Sequence, residues 1–228
     1  MFEGHSCPTE QGMTIAVRPR FRAFTLTEVL VIGVVLALVL AVILPALLPA
    51  RRRESRIGCV NNLKQVGLTF RIWAGDNSDK FPMQVSDTNG GTLEFVPTGR
   101  VFPHFLVMSN ELNTPKILAC PQDRQRLAAW SFGTNLNDTQ ISYFVGVDAV
   151  QTRPAMLLAG DRNLTLSGTA LQHGLVSLAT NSAVGWTKQI HKGFGNVVMV
   201  DGSVRQTDAV QLQKQLQDSG VSNRLAIP

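Results

Sequence analysis

The stretch from Val29 to Ala50, VLVIGVVLALVLAVILPALLPA, carries no charged residue. As a helix rising ~1.5 Å per residue it would be ~33 Å long, enough to cross a bilayer core of ~30 Å. An ordinary secretory signal is the competing reading. Its apolar core should be only 7–15 residues long and end at a small-x-small site. The run here is longer, and Leu48-Pro49-Ala50 puts a bulky Leu where a small residue is wanted. Arginines flank both ends, so the positive-inside rule alone does not orient the span. Glu28 stands at the mouth of the run. An ionised carboxylate is expensive in lipid, and an acid placed there is a functional hypothesis by default.

The chain of 228 residues is long enough for one domain beside the anchor. Residues 1–23 are mixed and polar, with Gly4, Pro8, Gly12 and Pro19 and with Arg18, Arg20 and Arg22 crowding the end. They read as a disordered leader. Its loss would lower the formal charge from +5 to about +4. Arg51, Arg52, Arg53 and Arg56 form the dense basic cluster. They suit a collar facing lipid phosphates. Interleaved aromatics, which nucleic-acid capture would use, are missing, so no specific nucleic-acid partner is expected.

Beyond the collar, Cys59, Leu63, Val66, Phe70 and Trp73 recur at steps of four and three, one stripe of a helix. Such a stripe is a docking face, so this half of a long helix should lie against the body. Gly75-Asp76-Asn77-Ser78 ends it, and Pro82 prevents its resumption. Ile117–Cys120 reads as a short strand stopped by Pro121. Ile141–Gly146 and Ala155–Ala159 read as better strands. Asn196–Val200, Asp201-Gly202 and Ser203–Gln206 make the clearest hairpin, with an Asp-Gly turn expected to be type I′. Thr207 or Asp208 caps a last helix that Gly220 stops.

The segment RAFTLTEVLVIGVVLALVLAVILPALLPA (residues 22–50) resembles the cleavage and methylation segment of type IV prepilins and type II secretion pseudopilins. In that family a basic leader ends in a small residue, usually Gly, and the cut falls before Phe. Ala23 holds the small position here, and Phe24 would become the new N-terminus. The family's fifth mature residue is Glu, matched by Glu28, and its helix-kinking Pro is matched by Pro45. Nothing in a plain membrane helix asks for Glu28. The segment CVNNLKQVGLTFRIWAGDNSDKFP, the phrase ISYFVGVDAVQTRPAMLLAGDRN, and a His191-x9-Asp201-Gly202 pattern resemble a bacterial subfamily of prepilin-like proteins.

That resemblance implies an α+β, pilin-like fold, with a long N-terminal helix, membrane-spanning in its first half, packed on a C-terminal antiparallel sheet. The expected divisions are a cytoplasmic leader (1–23), a transmembrane half-helix (24–50), an extracytoplasmic amphipathic half (51–75) and a globular domain (76–228). The implied function is that of a structural or accessory subunit of a pseudopilus, type IV pilus or related secretion filament, with the body in the periplasm. Its partners would be prepilin peptidase, other pilin or pseudopilin subunits and inner-membrane lipid. The alternative is a membrane-anchored binding module that uses the prepilin route without polymerising.

Of three cysteines, Cys7 lies in the leader, which leaves Cys59 and Cys120 as an even pair and a disulfide candidate in an oxidising compartment. Two buried thiols are the other reading. His191 and Asp201 are read either as metal ligands or an acid–base pair, or as a turn residue (Asp201) and a histidine bonded to the adjoining loop backbone. Asp76, Asn77 and Asp79 invite a calcium reading, but the EF-hand order is absent and a helix-ending turn explains them as well. No other metal and no cofactor is expected. GxSxG, HExxH and Walker patterns are absent, and Gly193-Phe194-Gly195 opens no helix, so the sequence points away from an enzyme.

Overall fold

The computed structural model describes residues 25–133 and 135–228, and of residues 44–55 the backbone alone. Two compact units are present, one ending at Leu48 and the other running from Pro49 to Pro228. Helix α1 (Leu26–Asp76) contributes to both. In the first unit, Leu26–Ile43 has a mean hydropathy of 2.9 and none of it is buried, making it long and apolar enough to cross a membrane. Pro45 lies inside α1, where only the backbone is described.

In the second unit the predicted stripe of α1 is buried: Cys59, Leu63, Val66 and Phe70 are 0% exposed and Trp73 is 5%. Each large apolar side chain so buried contributes ~1.5–3 kcal/mol. Phe70 meets Phe81 edge-on at 6.0 Å and Phe105 at 5.9 Å, geometries that add ~0.5–1.5 kcal/mol each. Gly67 lets the helix approach the sheet, since a Cβ there would lie 2.6 Å from Val198 Cγ2. The helix ends where Asp79 N–H reaches back to the Ala74 carbonyl at 2.9 Å, with Ser78 and Asp79 at positive φ.

The segment after α1 is built from tight turns and two short helices, α2 (Phe102–Leu106) and α3 (Ser109–Leu112). Pro115–Leu118 is a 3-10 turn, not the strand expected at Ile117–Cys120. Pro115 pre-sets the first turn, and the Thr114 hydroxyl accepts the Lys116 N–H, so local bonds outweigh the apolar run.

Nine strands come next among the described residues: β1 (Tyr143–Gly146), β2 (Leu157–Asp161), β3 (Leu164–Leu166), β4 (Thr169–Ala170), β5 (Gly174–Leu178), β6 (Val184–Trp186), β7 (Gly195–Met199), β8 (Val204–Thr207) and β9 (Asn223–Ile227). The main sheet is antiparallel in the order β5-β9-β1-β2-β7-β8, and β4-β3-β6 form a second, smaller sheet. The fold is α+β. Alternation along the central strands sorts side chains onto two faces. Tyr143, Val145, Leu158, Val198 and Ala226 pack with the α1 stripe. Phe144, Leu157, Val197, Met199, Leu225 and Ile227 pack with the smaller sheet and with α4 (Ala209–Ser219).

Asp208 caps α4 by accepting the Gln211 N–H, Gln211 returns the bond, and Gly220 closes the helix at φ +65°. The β7–β8 hairpin departs from its expected turn. Gly202 N–H bonds to the Met199 carbonyl, and of the turn residues Gly202 takes a positive φ, +84°. A type I′ turn needs positive φ at both central residues; this loop has three residues and ends in a glycine bulge.

Candidate functional site

Among the described residues of the first unit, the one acid, Glu28, sits in a local bond pattern. Glu28 Oε2 accepts from the Thr25 backbone N–H and from Thr25 Oγ1, both at 2.9 Å, and Glu28 N–H donates to Thr25 Oγ1 at 3.3 Å. Thr25 and Glu28 therefore close a capping box at the start of α1. This corrects the view that nothing in a membrane helix asks for Glu28. The signal was present as Thr-x-x-Glu before an apolar run. Ala23 and Phe24 lie outside the described residues.

In the body, a single loop is fastened at four nearly consecutive residues. The Ala119 carbonyl accepts from Asn62 Nδ2 of α1 at 3.2 Å. Cys120 is disulfide-bonded to Cys59 of α1, with Cα atoms 5.0 Å apart. Gln122 Oε1 lies 2.9 Å from His191 Nδ1. Asp123 receives Arg162 Nε at 2.7 Å, Arg162 Nη2 at 2.9 Å and the Ser142 hydroxyl at 2.9 Å. Burial pushes the Asp123 carboxyl up, but Arg162, Ser142 and the Gln125 N–H outweigh it and hold it below its ordinary value. Helix α1, the end of β2 and the loop before β7 thus converge on residues 119–123.

His191 sits at the centre of this convergence. Its Nε2 is 3.1 Å from Asp161 Oδ2, 3.1 Å from Asn196 Nδ2 and 3.5 Å from Cys120 Sγ. Asp161 Oδ2 also accepts the Asn196 backbone N–H at 2.6 Å and its side-chain amide at 2.8 Å. Tyr143 pairs with Asp161 across β1 and β2. Burial and the Asp161 charge push its phenol well above the usual range, against a smaller opposing effect of Asn62. Cys59, Cys120, His191, Asp161, Asn196 and Tyr143 are all 0–2% exposed. Groups buried this closely clamp the elements that carry them to one another. Sequence reading singled out neither Asp161 nor Asn196 as a site residue; each stands in or beside an apolar strand run with no motif around it.

The His191–Asp201 pairing is corrected: the partner of His191 is Asp161, and His191 bonds side chains, not the loop backbone. Asp201 serves the hairpin, its Oδ1 accepting the Ser203 N–H at 2.7 Å while its carbonyl accepts Arg71 Nη1 at 3.2 Å. A Cβ on Gly202 would meet Arg71 Nη1 at 2.9 Å. Asn77 is engaged as a helix terminator, donating to the Trp73 carbonyl at 2.7 Å. Among the described residues, Asp76 and Asp79 form part of no cluster of three potential ligands; Cys59, Cys120 and His191 do.

A second buried histidine lies away from the clamp. His104 in α2 is 0% exposed and shares a 2.7 Å bond with Thr92 Oγ1 through Nδ1. Burial lowers its pKa to about 4. The unfolded chain protonates this ring near pH ~6.5, so between those values the unfolded state binds more protons. The contribution is intact above the unfolded value and is lost as pH falls toward the folded one, about 3 kcal/mol in all. Denaturant midpoints of the detergent-solubilised chain should therefore drop between pH 6.5 and 4, and His104→Asn should flatten that drop. Equal slopes in both proteins would contradict the assignment.

No protein-family model matches the chain, and neither the curated proteins nor the solved structures contain a significant match to it.

Proposed function

We propose that the chain is exported as a prepilin-like precursor and serves as a structural or accessory subunit of a pseudopilus, type IV pilus or related secretion filament. The observation that carries this reading is the charge-free run from Val29 to Ala50 within the helix that begins at Leu26, with Glu28 in that helix's first turn. In the proposed assembly the apolar segment lies in the inner membrane before extraction into a bundle. Arg51–Arg53 and Arg56 face lipid phosphates, and the body stands in the periplasm. The clamp around Cys120 supports a body that must not peel from its helix when the anchor is pulled. Surface fractions sheared from cells and probed for this protein test the reading; protein found in membranes alone, with none in filaments, overturns it.

The alternative, an anchored binding module that does not polymerise, is favoured by one observation. Glu28 has a local partner in Thr25, so a helix-capping role accounts for it without a filament. Both readings share the processing step. The precursor should be cut between Ala23 and Phe24 by prepilin peptidase and the new amine methylated, which intact mass of membrane-extracted protein reads directly. Ala23→Gly should be cut at least as well, because Gly leaves the peptide bond more accessible. An N-terminus still at Met1, or one created near Ala50, removes the prepilin route and leaves a signal or a plain anchor.

A further inference from the structure

We propose that Cys59, Cys120 and His191, with Asp161 as fourth ligand, form a zinc-class metal site when the disulfide is reduced. The two sulfurs and a His191 ring nitrogen lie within 4.8 Å of one another on buried residues. Two thiolates and an imidazole suit zinc, whereas calcium and magnesium select oxygen ligands. Tetrahedral bonds of about 2.3 Å to sulfur and about 2.0–2.1 Å to nitrogen or oxygen set the ligand spacings. They place sulfur and nitrogen about 3.5 Å apart, and nitrogen and oxygen about 3.3 Å apart. Cys120 Sγ lies 3.5 Å from His191 Nε2, and Asp161 Oδ2 lies 3.1 Å from the same nitrogen. Two edges of the ligand tetrahedron are therefore close to their final length in the disulfide form. The sulfurs must part to about 3.8 Å, the Asn196 Nδ2 contact with Nε2 must give way, and the Asp161 carboxylate, which lies outside the 4.8 Å cluster of the other three ligands, must swing toward the sulfurs.

The surroundings also suit a metal. Nδ1 of His191 faces Gln122 Oε1 at 2.9 Å. In the metal-bound site an N–H donated there would leave the Nε2 lone pair free for the metal, the usual support for a ligating histidine. Asp161 Oδ1 is buried with no hydrogen-bond partner, an anion short of compensation that a cation supplies. Two thiolates neutralise a divalent ion, so the site adds no net charge to the core.

The chemistry balances simply. A dithiol reductant gives two electrons and two protons to the Cys59–Cys120 bond and leaves as its own disulfide. Metal uptake then releases both thiol protons. Disulfide and metal exclude each other, and each staples α1 to the 119–123 loop, one in an oxidising and one in a reducing compartment. The inference does not depend on the filament reading.

The test uses the full-length chain in detergent, reduced with a dithiol that is then removed anaerobically, and Co²⁺ as the probe. One cobalt per chain should bind, with thiolate-to-cobalt charge-transfer absorption and the visible bands of a tetrahedral ion, and Zn²⁺ should displace it. The disulfide form should show neither signal. His191→Gln and Asp161→Asn should each weaken binding at least tenfold, and Gln122→Ala, which removes no ligand, should weaken it about 10–100-fold. Reduced wild-type protein without these bands overturns the site, as does equal binding by the disulfide form or undiminished binding by His191→Gln. Undiminished binding by Asp161→Asn overturns the fourth ligand. The wild-type titration needs no variant to fold.

Discussion

In the proposed filament, Glu28→Gln should leave the chain in the membrane and abolish its assembly. Glutamine can close the same capping box with Thr25 that glutamate closes, so the start of α1 survives the change and only the charge is lost. In the proposed filament that charge compensates the amine of a neighbouring subunit's Phe24 in a low-dielectric bundle. Removing one member of a buried pair leaves the other uncompensated, at about 3–5 kcal/mol. Repeated at every subunit, that loss is enough to suppress polymerisation. Glu28→Val removes the charge and the cap together and should fail equally. Membrane and sheared-surface fractions of both variants read the result. Normal filament yield from Glu28→Gln with loss from Glu28→Val would show that the cap alone matters. Normal yield from both would favour the simple anchor.

Replacing Cys59 and Cys120 together by Ala should lower the stability of the disulfide-bonded protein by about 4 kcal/mol in the chain-entropy picture. The bond closes a loop of sequence separation 61, and its loss returns that freedom to the unfolded chain. For a body of this size the melting temperature should fall on the order of 10 °C. The double variant avoids leaving one buried thiol opposite nothing. The comparison belongs in a chelator-containing, non-reducing buffer, so that metal cannot replace the lost bond. The folded ensemble should also change locally, because Asn62 and Ala119 lose the covalent tie beside their hydrogen bond. A drop below ~1 kcal/mol, or alkylation of both Cys59 and Cys120 in wild-type protein purified without reductant, would remove the disulfide from the account.

What the sequence determined by itself is what short-range physics determines. The charge-free run and the Cys59–Trp73 stripe are patterns within one helix, read from spacing because neighbours at three and four residues share a face. The β7–β8 hairpin and the Asp208 cap are likewise local, and the Thr25–Glu28 box was equally available but overlooked. The turn at Asp201-Gly202 shows the limit of local reading. The dipeptide allows a type I′ turn, but the register that pairs Val198 with Val204 continues through the bond from Met199 N–H to the Ser203 carbonyl and leaves Val200, Asp201 and Gly202 to connect the strands. Tertiary structure decided the rest. Strand β9 drew no notice in the sequence, yet it lies between β1 and β5, because strand order depends on partners far along the chain. His191 stands next to Asp161 and Cys120, and not Asp201, for the same reason. These groups come from segments separated by tens of residues, and only burial in a shared core gives each polar atom a reason to find the other.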